Sequence, residues 1–203
     1  MTIDEIMRTA PVIPVLVLEE DADPVELAET LVGAGLRVLE VTLRTSNAIE
    51  AIRAMSGVEG AIVGAGTVLN EAQLAQAIDA GSQFIVSPGL TNPLALAVRD
   101  AAIPYLPGVS TAADIMRGLD LGLTRFKFFP AEASGGIPAI KALSAPFGEA
   151  RFCPTGGIRP DTAAEWLAVP SVLCVGGTWF VRPGERDMSV VGQRARLAAG
   201  LRS

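Results

Sequence analysis

The chain has 203 residues, of which 50% are hydrophobic and 5% aromatic, and it carries a net charge of −6 at pH 7. This length favours one domain with room for a hydrophobic core, and the lack of a basic block argues against nucleic-acid binding. The chain has no histidine, which excludes Ser-His and Cys-His catalytic pairs as well as histidine-ligated metal sites.

Short β-rich runs alternate with helical patterns along the whole chain. The predicted strands are 12–18, 37–43, 61–68, 84–89, 105–110, 125–130, 151–156 and 172–180. The predicted helices are 24–34, 46–56, 71–80, 92–102, 111–120, 136–145, 160–168 and 185–200. Asp23 before Pro24 is typical of a helix start, and we expect Gly33 and Gly81 to end their helices.

Eight strand–helix units indicate a parallel sheet, and eight is the number that closes a (β/α)8 TIM barrel. We therefore predict a single-domain barrel over residues 1–203. The alternative is an open, doubly wound sheet. It is disfavoured because no G-x-G-x-x-G motif follows the first strand, and the sequence at 64–67 lacks the last glycine of that motif.

The second predicted strand carries polar residues at every other position. Glu40 and Thr42 fall on one face with Arg44 beyond them, whereas Leu39 and Val41 fall on the opposite face. The aliphatic face suits the surrounding helices, so the polar face points into the barrel. Glu40 would lie deep and Arg44 near the mouth. A structural polar network inside the barrel is the alternative interpretation.

Lys127 lies in the sixth predicted strand, within an apolar and aromatic run, and Lys141 is the only other lysine. Removing an amine from water favours its neutral, nucleophilic form, which Schiff-base chemistry on a ketone requires. A snorkelling side chain or a buried ion-pair partner is the structural alternative. The second and sixth strands of an eight-stranded barrel face each other, so Lys127 and Glu40 can converge on a small substrate.

The last two predicted strands each carry a glycine pair. Gly156 and Gly157 end the seventh strand, and Gly176 and Gly177 lie in the eighth. Barrel phosphate sites are often built from these two loops, so the pairs favour a phosphate site over two simple tight turns. Thr67 and Pro88 end the third and fourth predicted strands, and each alone could be purely structural.

Cys153 and Cys174 both fall in predicted strands, so we expect buried thiols rather than a disulfide framework. No apolar run reaches the length needed to span a membrane, and the amino terminus lacks a signal-peptide pattern. The sequence therefore predicts a soluble, cytoplasmic protein without a nucleic-acid or membrane partner.

Six segments together resemble the 2-keto-3-deoxy-6-phosphogluconate (KDPG) aldolases, which also act on 4-hydroxy-2-oxoglutarate (KHG). They are 35–45 (GLRVLEVTLRT), 64–69 (GAGTVL), 87–89 (SPG), 107–111 (PGVST), 126–132 (FKFFPAE) and 153–158 (CPTGGI). They occur in order and span nearly the whole chain. The resemblance implies a homotrimeric barrel and a class I aldolase of the Entner-Doudoroff pathway that uses no metal and no cofactor.

The resemblance also implies roles for individual residues. Lys127 would form the Schiff base, and Glu40 would transfer protons. Arg44 and Thr67 would bind the substrate carboxylate. The pocket would be lined by Pro88, Phe129 and Thr155. The phosphate would be bound by Gly156, Gly157, Gly176, Gly177 and Thr178.

One position departs from the family pattern. The family usually has a serine where this chain has Thr178, which keeps the hydroxyl and adds a methyl group. Thr155 resembles the gluconate-type enzymes, since galactonate-type relatives favour an apolar residue there. The expected substrate is thus KDPG, with KHG as a second one. The alternatives are a phosphogalactonate-type aldolase, a barrel isomerase or synthase of phosphorylated sugars, and a non-catalytic trimeric scaffold.

Overall fold

The computed structural model describes residues 1–182 and 184–201, so Pro183 and the last two residues of the predicted domain lie outside the described part. The helices are α1 (Ile3–Thr9), α2 (Pro24–Gly33), α3 (Ala48–Ser56), α4 (Glu71–Asp79), α5 (Asn92–Asp100), α6 (Ala112–Asp120), α7 (Gly136–Ser144), α8 (Ala163–Leu167) and α9 (Met188–Ala199). The strands are β1 (Val12–Leu16), β2 (Val38–Thr42), β3 (Ile62–Gly66), β4 (Phe84–Val86), β5 (Tyr105–Leu106), β6 (Gly108–Val109), β7 (Arg125–Phe128), β8 (Arg151–Pro154) and β9 (Val175–Gly177).

The strands form a closed parallel barrel. One sheet has the order β5-β4-β3-β2-β1-β9, and the other has the order β6-β7-β8. Parallel bridges from Phe152 to Val172 and from Thr155 to Gly176 join β8 to the β9 side. The strands β5 and β6 are two halves of one barrel strand, separated by Pro107, which has no N–H to donate to the ladder. The predicted (β/α)8 barrel is thus confirmed, and the open sheet is excluded.

The hydrophobic core has two layers, as a barrel requires. The larger layer lies between the strands and the helices. The smaller one fills the inside of the barrel. It includes Phe84 from β4, whose ring lies where a side chain on Gly64 would project, since a Cβ there would come within 2.4 Å of it. The glycines of β3 therefore give the barrel interior its room.

The helix α1 covers the amino-terminal end of the barrel and was not predicted from the sequence. Its Ile6 and Met7 belong to the interior cluster with Val38, the first residue of β2. Asp4 also accepts a hydrogen bond of 2.5 Å from Arg125 Nε at the start of β7. The opposite end, where the strands finish, is thereby the open one.

The predicted strands are longer than the observed ones. The fourth ends at Val86 rather than at Gly89, and the last spans Val175–Gly177 rather than 172–180, because the chain turns into the loops above the barrel as soon as its ladder ends. The helix α2 ends at Gly33 as predicted, and the left-handed residue that follows it is Gly35, with a φ of 97°. Gly81, with a φ of 94°, follows α4 as predicted.

None of the helices in the described ranges is both long enough and apolar enough to cross a bilayer.

Candidate active site

Lys127 and Glu40 meet inside the barrel. Lys127 lies on β7, and Glu40 lies on β2 across the interior. The distance from Lys127 Nζ to Glu40 Oε1 is 2.8 Å, and the two residues are 5% and 3% exposed. The sequence predicted this convergence from strand order alone. Burying two charges is costly unless they pair, so each group accounts for the presence of the other.

Gly66 makes room for the Glu40 carboxylate. A Cβ at Gly66 would lie 2.3 Å from Glu40 Oε1 and 2.9 Å from its Cδ. The two residues are on neighbouring strands, with Thr42 as the register partner of Gly66. In the sequence, Gly66 belongs to the weak nucleotide-binding motif and to the segment 64–69 that resembles the aldolases, and no role was predicted for it. The sequence holds no local signal for this contact, because it exists only once β2 and β3 have paired.

Arg44 and Thr67 lie side by side above the ends of β2 and β3. Arg44 Nε donates a hydrogen bond of 3.3 Å to Thr67 Oγ1. Arg44 is exposed, since β2 ends at Thr42 and the chain turns there, with Arg44 N donating to Thr42 O at 2.8 Å. Thr67 has a φ of 60°, a left-handed conformation that is uncommon for a β-branched residue. The predicted deep position of Glu40 and outer position of Arg44 agree with these exposures.

Phe129 lies beside the lysine, and Pro88 lies against the neighbouring strand β6. The Phe129 ring centroid lies 5.5 Å from Lys127 Nζ, within the range of a cation–π contact. Pro88 follows β4, and a Cβ on Gly108 would come within 2.1 Å of its carbonyl oxygen. Gly108 is in turn the register partner of Lys127. Phe129 therefore lies against the amine, and Pro88 lies against the strand that pairs with Lys127.

A buried hydroxyl pair fixes the turn at Pro88. Ser87 Oγ lies 2.7 Å from Tyr105 Oη, and it also donates to Gly89 O at 2.7 Å. Burial raises the pKa of Tyr105 to about 12, against the opposing effect of the Ser87 hydrogen bond. The phenol thus remains neutral and holds the turn that contains Pro88. This pair was not predicted from the sequence.

The two glycine pairs lie on neighbouring strand ends. Thr155 forms a parallel bridge with Gly176, and a Cβ on Gly176 would lie 2.2 Å from Thr155 Oγ1. Gly156 and Gly157 have φ values of 103° and 83°, which L side chains rarely adopt. The structure therefore brings together the two loops that the sequence suggested for a phosphate.

Thr178 and Gly177 continue the second loop. Thr178 is exposed, and Gly177 packs under the Trp179 ring, which a Cβ at Gly177 would approach to 2.5 Å. A cleft of about 300 Å³ adjoins Thr178, between the loops that follow β1 and β9. Arg186 spans these loops, with Nη2 3.0 Å from Glu19 Oε2. This ion pair was not predicted from the sequence.

Candidate metal ligands do not cluster in the described ranges. No group of three or more cysteine, aspartate or glutamate side chains there could hold a metal ion. Cys153 and Cys174 are both buried, as expected for strand residues. Cys153 is the register partner of Lys127 on β8 and contributes to the interior cluster.

Comparisons with known proteins agree on one family. A family model described as "Aldolase: KDPG and KHG aldolase" matches residues 3–193. The chain is 54% identical over 179 residues to the KHG/KDPG aldolase of Escherichia coli, a match that covers 88% of the chain and 84% of the relative.

Two solved structures are similar over almost their whole length. The 2-keto-3-deoxy-6-phosphogluconate aldolase of Zymomonas mobilis with 3-phosphoglycerate is 55% identical, with a TM-score of 0.96, and the match covers 98% of this chain and 96% of that one. The KDPG aldolase of Legionella pneumophila, with pyruvate captured as a covalent carbinolamine, is 40% identical, with a TM-score of 0.95 and coverages of 98% and 99%.

Proposed function

Because the chain belongs to the KDPG and KHG aldolase family, we propose that it is a class I aldolase that cleaves KDPG to pyruvate and glyceraldehyde 3-phosphate. The observation that carries this proposal is the buried contact of 2.8 Å between Lys127 Nζ and Glu40 Oε1. It combines an amine that can attack a ketone with a carboxylate that can move the protons of the reaction.

The covalent steps begin at Lys127. The Glu40 carboxylate accepts a proton from the ammonium, and the neutral amine attacks the C2 ketone of the substrate to give a carbinolamine. Glu40 returns its proton to the departing hydroxyl, and loss of water gives an iminium, which withdraws electrons from the C3–C4 bond. The carbinolamine captured in the Legionella pneumophila relative is the same kind of intermediate and supports this sequence.

Glu40 is then in position for the cleavage step. It takes the proton of the C4 hydroxyl, the C3–C4 bond breaks, and glyceraldehyde 3-phosphate leaves. The remaining enamine is protonated at C3 with Glu40 as the acid, and water hydrolyses the iminium to release pyruvate and the Lys127 amine. A group that acts both as base and as acid must stay within hydrogen-bond reach of the reacting atoms, and the confined carboxylate meets this requirement.

The binding roles follow from the positions of the remaining residues. The Arg44 guanidinium and the Thr67 hydroxyl, 3.3 Å apart at the mouth, are placed to bind the C1 carboxylate. Pro88, Phe129 and Thr155 would line the pocket. The turns at Gly156, Gly157, Gly176, Gly177 and Thr178 would bind the phosphate through backbone N–H groups.

The proposal is tested by borohydride reduction in the presence of pyruvate, followed by intact-mass and peptide mass spectrometry. We expect one reduced pyruvate adduct on Lys127. The matched control is Lys141→Arg, which removes the only other lysine and should leave the adduct unchanged. An adduct on Lys141 alone, or none, would refute the Schiff-base assignment and favour a barrel isomerase or a non-catalytic scaffold.

KHG is the proposed second substrate, since the Escherichia coli relative is named for both compounds. Steady-state cleavage of KDPG, KHG and the phosphogalactonate epimer by the same preparation ranks the three. A preference for the epimer would contradict the gluconate-type interpretation of Thr155.

The finer aspects of the proposal concern the whole protein. We propose that residues 1–203 form one domain that works as a cytoplasmic homotrimer in the Entner-Doudoroff pathway without a metal or a cofactor. Light scattering of the purified protein tests the oligomer, for which we expect a mass of three chains. Activity that persists after treatment with a chelator and desalting tests the absence of a dissociable metal.

A further inference from the structure

The chain that leaves β7 lies along the glycine turn that leaves β8. Ala131 N donates a hydrogen bond of 2.8 Å to Thr155 O, and Glu132 N donates one of 3.1 Å to Gly156 O. The pairing of β7 with β8 thus continues past the last strand residues. The segment that follows Lys127 is thereby tied directly to the proposed phosphate site.

Glu132 covers this turn with its side chain. A Cβ added to Gly157 would lie 2.7 Å from both Cβ and Cγ of Glu132, so the aliphatic part of Glu132 occupies the space above the glycine. Its carboxylate accepts a hydrogen bond of 3.1 Å from Trp166 Nε1. The exposed side chain of Glu132 is therefore held in one orientation.

Trp166 anchors the arrangement in the core. It is only 1% exposed, and its ring centroid lies 6.4 Å from that of Phe128, the residue after Lys127. A buried indole N–H needs an acceptor, and Glu132 supplies it. The contacts thus run from Phe128 through Trp166 and Glu132 to Gly157.

Phe129 makes a second connection between the same two places. Its ring centroid is 5.5 Å from Lys127 Nζ, and its ring atoms lie 3.4 Å from the position of a Cβ on Gly156. Two sets of packed side chains therefore fix the distance between Lys127 and the glycine turn. A substrate whose ketone and phosphate sit at opposite ends of one carbon chain needs this spacing to be fixed.

We propose that Glu132 and Trp166 are positioning residues that hold the Gly156–Gly157 turn at the distance from Lys127 which a phosphorylated 2-keto acid requires. This inference rests on the proposed function and extends it to a pair that touches neither the ketone nor the phosphate. Their loss should impair phosphorylated substrates selectively, because the chemistry at Lys127 and Glu40 does not need the turn.

Two reactions distinguish the role of the glycine turn from the covalent chemistry at Lys127. Cleavage of KDPG needs both the turn and that chemistry. Exchange of the pyruvate methyl protons for deuterium in heavy water, followed by NMR, needs only the iminium and enamine at Lys127. In Glu132→Ala we expect the KM for KDPG to rise by about tenfold or more, the effect of losing a hydrogen bond to a charged group, while the exchange rate changes by less than about twofold.

The conservative variant and a neighbouring control sharpen the test. Glu132→Gln keeps an oxygen that can accept the hydrogen bond from Trp166, so its KM for KDPG should be close to that of the wild type. Trp166→Phe removes the N–H that donates this hydrogen bond, so it should raise the KM for KDPG. Glu165→Ala removes an exposed carboxylate next to Trp166 on α8 and should match the wild type. Thermal melting of each variant confirms that it is folded.

Each outcome decides the inference. Equal losses in exchange and cleavage, or a wild-type KM in Glu132→Ala, would overturn it. A Glu132→Gln variant as impaired as Glu132→Ala would overturn the role of the hydrogen bond to Trp166. If the wild-type chain exchanges pyruvate protons and cleaves KDPG, the proposed function stands whatever the variants do. If it does neither, the proposed function itself fails.

Discussion

Replacing Gly66 by alanine should disable the reaction without touching either reacting group. The added Cβ would lie 2.3 Å from Glu40 Oε1, 2.7 Å from its Cγ and 2.9 Å from its Cδ. An ordinary contact is about 3.5 Å, so the carboxylate must move by roughly 1 Å. Glu40 is 3% exposed, and the packed interior prevents it from swinging into solvent.

The expected loss follows from this displacement. A displacement of about 1 Å lowers the rate on the order of 100-fold when a catalytic group must be aligned with the proton that it transfers. Overpacking the site should also lower the free energy of unfolding by about 1–3 kcal/mol. Lys127 keeps its place on β7, so we expect the pyruvate adduct to form still, although its protonation steps are slowed.

The assay compares three proteins: wild type, Gly66→Ala and Gly33→Ala. Gly33 is exposed at the end of α2, where an added Cβ meets no atom within 4 Å, so it controls for a glycine-to-alanine change as such. KDPG cleavage, borohydride trapping and thermal melting are measured for each. A folded Gly66→Ala protein with wild-type turnover would refute the argument that the position of Glu40 limits the rate.

Three further predictions address other parts of the molecule. Arg44→Ala should raise the pyruvate concentration needed for half-maximal aldol condensation by about tenfold or more; an unchanged requirement would remove Arg44 from the site. Tyr105 is the only tyrosine, and since burial raises its pKa to about 12, its ultraviolet titration should lie well above the ordinary value near 10. The free energy of unfolding should therefore decrease as the pH rises from about 10 towards 12, and Tyr105→Phe should remove this decrease. The hydrogen bond from Arg8, together with Arg125, lowers the pKa of Asp4. Asp4→Asn should therefore lower the free energy of unfolding by up to about 1 kcal/mol at neutral pH, and this difference should disappear as the pH falls below about 4. Denaturant titrations that give the same difference at every pH would contradict this.

Periodicity and strand count were sufficient to predict the barrel. Eight strand–helix units leave few topologies open, and the alternation around Glu40 showed which side of its strand faces inward. The helix α1 was not predicted because it is only seven residues long, and its apolar residues, such as Ile6 and Met7, are too few to show a helical period. The break at Pro107 escaped because its neighbours in the chain, Leu106 and Gly108, continue the same extended run.

The candidate site was only partly predictable, for a physical reason. A charged residue inside an apolar strand is visible in the sequence because its burial needs a cause, which singles out Glu40 and Lys127. Gly66, Glu132 and Trp166 give no such signal. Their roles depend on contacts with residues that are distant in the chain, and the sequence does not show these contacts before the chain has folded.

The buried pair itself is better explained by chemistry than by stability. Taking both charges of Lys127 and Glu40 out of water costs several kcal/mol each, and apolar residues of similar volume often serve stability as well or better. The molecule nevertheless keeps the pair at 2.8 Å and leaves the neighbouring position 66 without a side chain, a glycine that weakens a strand. Both features oppose tight apolar packing at the same point of the barrel. A fold selected for stability alone has no reason to retain them together, whereas an amine and a carboxylate that must exchange protons beside a substrate require both.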